Sequence, residues 1–359
     1  MKTSFFRSAL IIPTAALSLT GLMLAQDDAT TAPKPRFVTL PPKPSKDAVT
    51  PAVTLPTWNG SFVYNGTTYT YNMVGAAPGS NTTTTIPVYI IPIKIVITKN
   101  GTTTTFDPSH VLTNGNTVIQ NTVASPIFDK TTKYVTGGVH VGTTQYIDAF
   151  QRANFWHKVS TSATAYHLLL GTPTVLAEQT LSPPSRDGSV GSPFGFTAGE
   201  VDINWFDAQI QTIMASFSQI QPNTLPIFLT YDTYLTEGGC CIGGYHSSLG
   251  AQAYAHATYV DVVGQFSQNV SALSHEVGEW ADDPLVNNSG NSTPCGILEV
   301  GDPLENNPNF GGYPYVLNGF TYDLQDLTTI EYFGAPANTS VKNFFTFQGE
   351  SLTVCQNGS

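Results

Sequence analysis

Apolar and polar positions change rhythm several times along the chain. Residues 58–142 alternate, are rich in Thr, Val, Ile and Tyr, and are broken at Asn65-Gly66, Asn100-Gly101 and Asn114-Gly115. Period-two alternation cut by Asn-Gly predicts strands joined by tight turns, because these residues accept the positive φ that such turns require. A helix is expected over 143–157 and a strand over 166–176. Val201, Ile203, Phe206, Ile210, Ile213 and Met214 recur at helical spacing and predict an amphipathic helix over 200–218. Strands are expected at 225–235 and 254–263. Val270, Leu273, Val277 and Trp280 then fall on one side of a helix, with Phe266 among them if the helix starts that early. Pro284 ends it, since proline turns the preceding residue away from helical geometry. Residues 285–359 carry Gly, Asn and Pro turns with short strands.

This order predicts an α+β domain over 58–359. A β-rich part (58–142) precedes a core with mixed sheet and helix (143–284), and a C-terminal part (285–359) closes it. About 300 residues are ample for one large domain or two tightly joined lobes. Lys2, Arg7 and the apolar stretch that follows make residues 1–25 a secretory signal, with Ala25 the last residue before cleavage. Residues 26–57 are rich in Pro, Thr and Lys and read as an extended linker or a short pro-segment. The apolar run at 88–98 is too short to span a bilayer and is broken by Lys94, which suits a core strand. The chain is therefore expected outside the cytoplasm, extracellular or periplasmic.

Composition narrows the partners. Only 11% of residues are charged, and the net charge of −11 with a pI near 4.9 argues against nucleic acid and anionic membrane. Four cysteines in an exported chain imply up to two disulfides and three pairings. Bonding adjacent Cys240 and Cys241 needs a strained ring; pairing Cys295 with Cys355 would tie the tail to the segment before Glu299.

The chemistry concentrates at Ser274-His275-Glu276-Val277-Gly278-Glu279. His275-Glu276-x-x-Glu279 is the zinc-hydrolase pattern H-E-x-x-H with a carboxylate for the second histidine. With 7 His and 9 Glu in 359 residues, random placement gives about 0.004 such motifs per chain, a low chance for a short pattern. On a helix, His275 and Glu279 stand one turn apart, opposite the apolar stripe. Glu276 is offset by about 100°, where it reaches a water beside the metal rather than the metal itself. The plain alternative is an i,i+4 pair on a solvated helix face, contributing a few tenths of a kcal/mol. Gly278 costs about 1 kcal/mol against Ala in a helix and calls for a close neighbour.

Downstream runs Cys295-Gly-Ile-Leu-Glu299-Val-Gly-Asp302-Pro. With Glu299 20 residues beyond Glu279, the chain resembles the gluzincin branch of the zincin metallopeptidases over about 30 residues. The resemblance implies a zincin-like core and gives His275 the first ligand position, Glu276 the general base and Glu299 the third ligand. Glu279 stands where the second histidine belongs. Asp302 is a rival for Glu299, or a partner that orients the ligands. One His and two carboxylates make a harder site than two His and one Glu, admitting Mn2+ or Ca2+ beside Zn2+. A looser likeness, carried by Cys241-Ile-Gly-Gly-Tyr245-His246 and by His275-Glu276-x-x-Glu279 with Asp283-Pro284, is to secreted bacterial proteins related to the plant EXORDIUM (phosphate-induced) family. It implies secretion and a zincin-like fold more than a reaction.

Among other residues, His246 and Tyr245 are candidates for binding substrate or stabilising an oxyanion, and His246 also for adding a ligand. His256 alternates with apolar neighbours and reads as a satisfied strand residue. His110, His140, His157 and His167 have no partner pattern. No G-x-S-x-G elbow, P-loop or dinucleotide fingerprint is present. The expected function is a secreted metal-dependent hydrolase, foremost a zinc metallopeptidase acting on peptide or protein. The competing expectation is a non-catalytic surface or matrix protein on the same scaffold, its metal structural or absent. Glu279 and the Thr-, Asn- and Tyr-rich composition favour that second reading.

Overall fold

The computed structural model describes residues 34–44, 53–288 and 293–355; the leader expected over 1–25 lies outside them. Part of the expected linker belongs to the fold, because β1 (Arg36–Thr39) joins the main sheet. The hairpin β2 (Thr57–Tyr64) and β3 (Thr67–Val74) turns at Asn65-Gly66, both at positive φ. After β4 (Thr83–Ile86), the long strand β5 (Val88–Lys99) buries Ile90, Ile91, Ile93 and Ile95 completely, then turns at Asn100-Gly101 into β6 (Thr102–Phe106).

Helix α1 (Val118–Val123) starts at a capping box of Thr117 and Gln120. The hairpin β7 (Lys133–Thr136) and β8 (Val139–Thr143) follows. The helix expected over 143–157 is two, α2 (Tyr146–Asn154) and α3 (Trp156–Thr161), parted at Phe155. β9 (His167–Leu170) pairs with β4, while β10 (Thr174–Val175) and β11 (Gln179–Leu181) lie along β5. β12 (Gly188–Gly191) and β13 (Ala198–Asp202) are antiparallel. Helix α4 (Ile203–Ser216) is capped by Asp202, whose carboxylate accepts from the Trp205 backbone N–H at 2.9 Å. Then come β14 (Leu225–Tyr231), β15 (Thr233–Thr236), β16 (Cys240–Leu249), β17 (Gln252–Tyr259), helix α5 (Ser271–Asp282) and the hairpin β18 (Gly312–Leu317) and β19 (Phe320–Gln325).

The expected zincin-like α+β core is not found. The described residues form nineteen strands against five α-helices. Eleven strands make one mixed sheet in the order β10-β5-β14-β17-β16-β15-β13-β12, with β1 on β16 and both β6 and β11 on β5. β12 returns against β5, so the sheet curls toward a barrel. The expectation placed two strands between α4 and α5. Four are there, and a further one arrives from the distant N-terminal segment, which local patterning does not reveal.

The two faces of this sheet make two cores. Phe206, Ile210 and Met214 of α4 join Ile91, Ile93, Phe228 and Tyr254 on one face. Leu273, Val277 and Trp280 of α5 join Leu225, Ile227, Ala257 and Tyr259 on the other. Complete burial of each large apolar side chain contributes about 1.5–3 kcal/mol. α5 ends where Pro284 requires, with the Asp283 N–H bonded to the Glu279 carbonyl at 2.6 Å.

Candidate metal centre

The helix that carries the motif has no solvated face. Every residue of α5 is buried, and His275, Glu276 and Glu279 are at most 1% exposed. This excludes the exposed i,i+4 pair. The helix lies against β17, β16, β19, β3 and α2, and its ligand side meets β16 and the segment 299–302. Neither Ser271 nor Ser274 caps the helix. The Ser274 hydroxyl donates to the Ser271 carbonyl at 2.8 Å and accepts from the Gln325 N–H at 2.7 Å, fastening β19 to α5.

β16 supplies His246 from across the interface. Strand alternation sends neighbouring side chains to opposite faces, so only one of Tyr245 and His246 can meet α5. His246 does. Tyr245 points to the α4 side, where its hydroxyl donates to Asp207 at 3.0 Å; the expectation that it serves the site is corrected. Two glycines let the helix come this close. A Cβ on Gly244 would lie 2.5 Å from Glu276 Oε1, and one on Gly301 would lie 2.2 Å from His275 Nδ1.

Glu279 is the hub. Its Oε1 lies 2.9 Å from His275 Nε2 and its Oε2 lies 3.4 Å from His246 Nδ1. Glu276 Oε2 is 3.5 Å from the same His246 nitrogen. Asp302 Oδ1 stands 3.5 Å from His275 Nε2. Two donor groups therefore share Glu279: His246 with Glu276, and His275 with Asp302, each set within 4.8 Å. Glu299 is buried beside Glu279, outside both sets. The sequence assigned the third position to Glu299 ahead of Asp302, whereas Asp302 approaches His275 more directly. The Gly301 N–H reaches Glu279 Oε1 at 3.3 Å.

Four carboxyls against two imidazoles, all buried but Asp302, cannot all ionise unaided. Burial pushes Glu276 up to about 7 and Glu299 well above the carboxylate range, Glu299 also being raised by neighbouring Glu279. Glu279 is the exception. Burial would raise it, but His275 and His246 hold it below the ordinary value. The imidazoles would be lowered by burial, yet Glu299, Glu276 and Glu279 raise His246, and chiefly Glu279 and Asp302 raise His275. Both ring nitrogens of each histidine and both oxygens of Glu276 and Glu299 lack a hydrogen-bond partner. Buried polar atoms are ordinarily paired, so a convergent N/O set of this kind fits a divalent cation.

A cleft of about 640 Å³ opens beside the cluster, with Glu299, Asp302 and Glu305 on one wall and Phe37 and Thr39 of β1 on another. The Phe37 ring stacks on His275 with centroids 3.9 Å apart. Phe37 and Glu305 went unnoticed in the sequence; Phe37 sits among five residues between Pro35 and Pro41, too few to carry a period. His256 lies on the α4 face, bonded to Thr230 at 3.0 Å, and burial lowers it to about 3. His167 pairs with Asp148 at 2.8 Å and His110 stacks on Tyr231. A disulfide joins Cys295 to Cys355, four residues before Glu299, and another joins Cys240 to Cys241. Comparison with family models, curated proteins and solved structures returns no match.

Proposed function

We propose that this chain is a metal-dependent hydrolase of peptide bonds. The observation that carries the reading is a cluster of six donor side chains centred on Glu279, all buried but Asp302, with most of their polar atoms unpaired by protein. Glu279, His275 and His246 would hold the ion, with Asp302 and Glu299 completing the set. Two imidazoles among carboxylates suit Zn2+ or Mn2+ better than Ca2+, which takes six to eight oxygens. A bound divalent cation supplies Lewis acidity, polarising a carbonyl and lowering the pKa of water. Glu276 is the proton acceptor: it takes a proton from the attacking water and returns it to the leaving amine. Disulfides at Cys295–Cys355 and Cys240–Cys241 support an oxidising compartment, in keeping with export. No helix among the described residues is long and apolar enough to cross a membrane.

Metal content of the purified chain tests the site. We expect about one zinc per chain, lost in His275→Ala and in Glu279→Ala. Glu276→Gln should keep the metal and lose peptide hydrolysis. A metal-free wild type, or full turnover in Glu276→Gln, would overturn the reading. The burial of His246, His275, Glu276 and Glu279, with Phe37 laid over His275, favours a second reading: a structural ion in a non-catalytic secreted surface or matrix protein. In that case chelation lowers the melting temperature and no peptide is cleaved by any form of the protein.

A further inference from the structure

β16 has two hydrogen-bonding edges with different occupants. Ile242 pairs with Leu235 and also with Arg36; His246 pairs with Ala255 and also with Thr39. Since a strand residue has one neighbour per side, β15 and β17 share one edge and β1 holds the other alone. Its hold is mostly main-chain. Lys34 N–H donates to the Cys240 carbonyl at 2.8 Å, Leu40 N–H to His246 at 3.2 Å, Lys43 N–H to Ser248 at 2.8 Å, and Gly250 N–H returns to Lys43 at 2.8 Å. Such bonds read no sequence, so any extended peptide can make them. Side chains add anchors at five points: Phe37 over His275, the Phe37 N–H on Glu305 at 3.0 Å, Lys43 paired with buried Asp207, the Arg36 guanidinium on the Glu237 carbonyl at 2.9 Å, and the Ser247 hydroxyl on the Leu40 carbonyl at 3.1 Å.

The register matters. Thr39 lies opposite His246, so the strand crosses the metal cluster rather than passing beside it. The segment is also short, part of a proline-rich stretch, and contributes few residues to either core. It adjoins both His246 and His275.

We propose that residues 34–44 are a displaceable occupant of a peptide-docking edge on β16, and that the substrate class of the site is an extended polypeptide segment that adds to β16 in its place, parallel to it. This rests on the hydrolase reading for its chemistry, but strand docking itself does not. With β1 seated, Phe37 covers His275; with β1 exchanged, the substrate backbone lies where Thr39 now lies. β1 is thus an internal competitor.

The test uses the full chain with a site-specific protease sequence inserted between Pro44 and Val53. After cutting, a fluorescent peptide of residues 34–44 is added in excess, and its polarisation is followed together with release of the severed fragment. We expect saturable uptake with matching release, and uptake weaker by about tenfold or more for the peptide carrying Phe37→Ala. No release and no uptake, in a cut chain whose melting curve remains cooperative, would overturn the proposal. Equal uptake of the two peptides would also overturn it, since docking would then ignore the cluster. As a second variant, Phe37→Ala in the uncut chain should accelerate peptide hydrolysis; an unchanged rate counts against the occupant role. Exchange without hydrolysis in any form leaves the docking edge standing and removes the hydrolase reading. Hydrolysis that is identical before and after cutting, without exchange, does the reverse.

Discussion

Among single residues, Asp326 shows how burial sets a carboxyl apart from its charge. Its Oδ1 accepts from the Leu327 N–H at 2.9 Å and the Gln348 N–H at 3.0 Å, while its Oδ2 has no partner. Burial pushes this group up to about 7, and Asp282, held by Gln151, up to about 8. Both folded values lie above the unfolded value of about 3.9. Between the two values the folded state binds more protons, so stability falls as pH rises. His256 acts the other way, since burial lowers it to about 3, but only below its unfolded value of about 6.5. In the chelated protein the melting temperature should therefore drop from pH 6.5 to 8.5, and Asp326→Asn, which keeps the Oδ1 acceptor, should drop less. A wild type whose melting temperature climbs over that range would contradict this sign. At this scale the sequence was legible where rare residue types cluster. His275, Glu276 and Glu279 stand together in the cluster because a helix fixes their relative angles. Tyr245 and His246 were indistinguishable because the direction of a strand's alternation depends on which face is which, and that is decided by distant partners.

Elements defined by local rhythm were legible as well. α5 ends at the proline, and the hairpins at Asn65-Gly66 and Asn100-Gly101 turn where the two residues fall. Gly278 looked costly in a helix and called for a close neighbour. The neighbour is Leu327, fully buried, whose Cδ1 would lie 2.6 Å from a Cβ at that position. Gly278→Ala gains about 1 kcal/mol of helix propensity but overpacks the core at a cost of about 1–3 kcal/mol. We expect a net loss in denaturant unfolding. In a Leu327→Ala background the same change should stabilise, because the clash is gone and the propensity remains. An equal effect in both backgrounds would show that Leu327 is not the reason for the glycine. β1 lay beyond this kind of reading. Four residues cannot display a period, and its pairing partner is encoded elsewhere.

For the whole molecule, non-local pairing decided what the sequence left unread. Helix-strand order suggested a familiar core, but an eleven-stranded sheet is specified by which strands become neighbours, and those contacts span long stretches of chain. The cysteines did speak at this scale: Cys295 and Cys355 bond across 60 residues. Closing a loop of that size in the unfolded chain is worth about 4 kcal/mol by the loop-entropy relation. Replacing both cysteines by alanine should lower unfolding free energy by that order, and a loss under 1 kcal/mol (on the order of ordinary surface substitutions) would mean the unfolded chain is already held there. Distance along the chain has one more result. Arg36 meets Glu237 across 201 residues, so β1 is the first of the described strands to be synthesised and the one that waits longest for its pairing strand. β16, β17 and α5 follow one another and can assemble among themselves. During biosynthesis, then, β1 can meet β16 before the helix that carries His275 and Glu279 has been made, and the strand stands ready where the cluster will form.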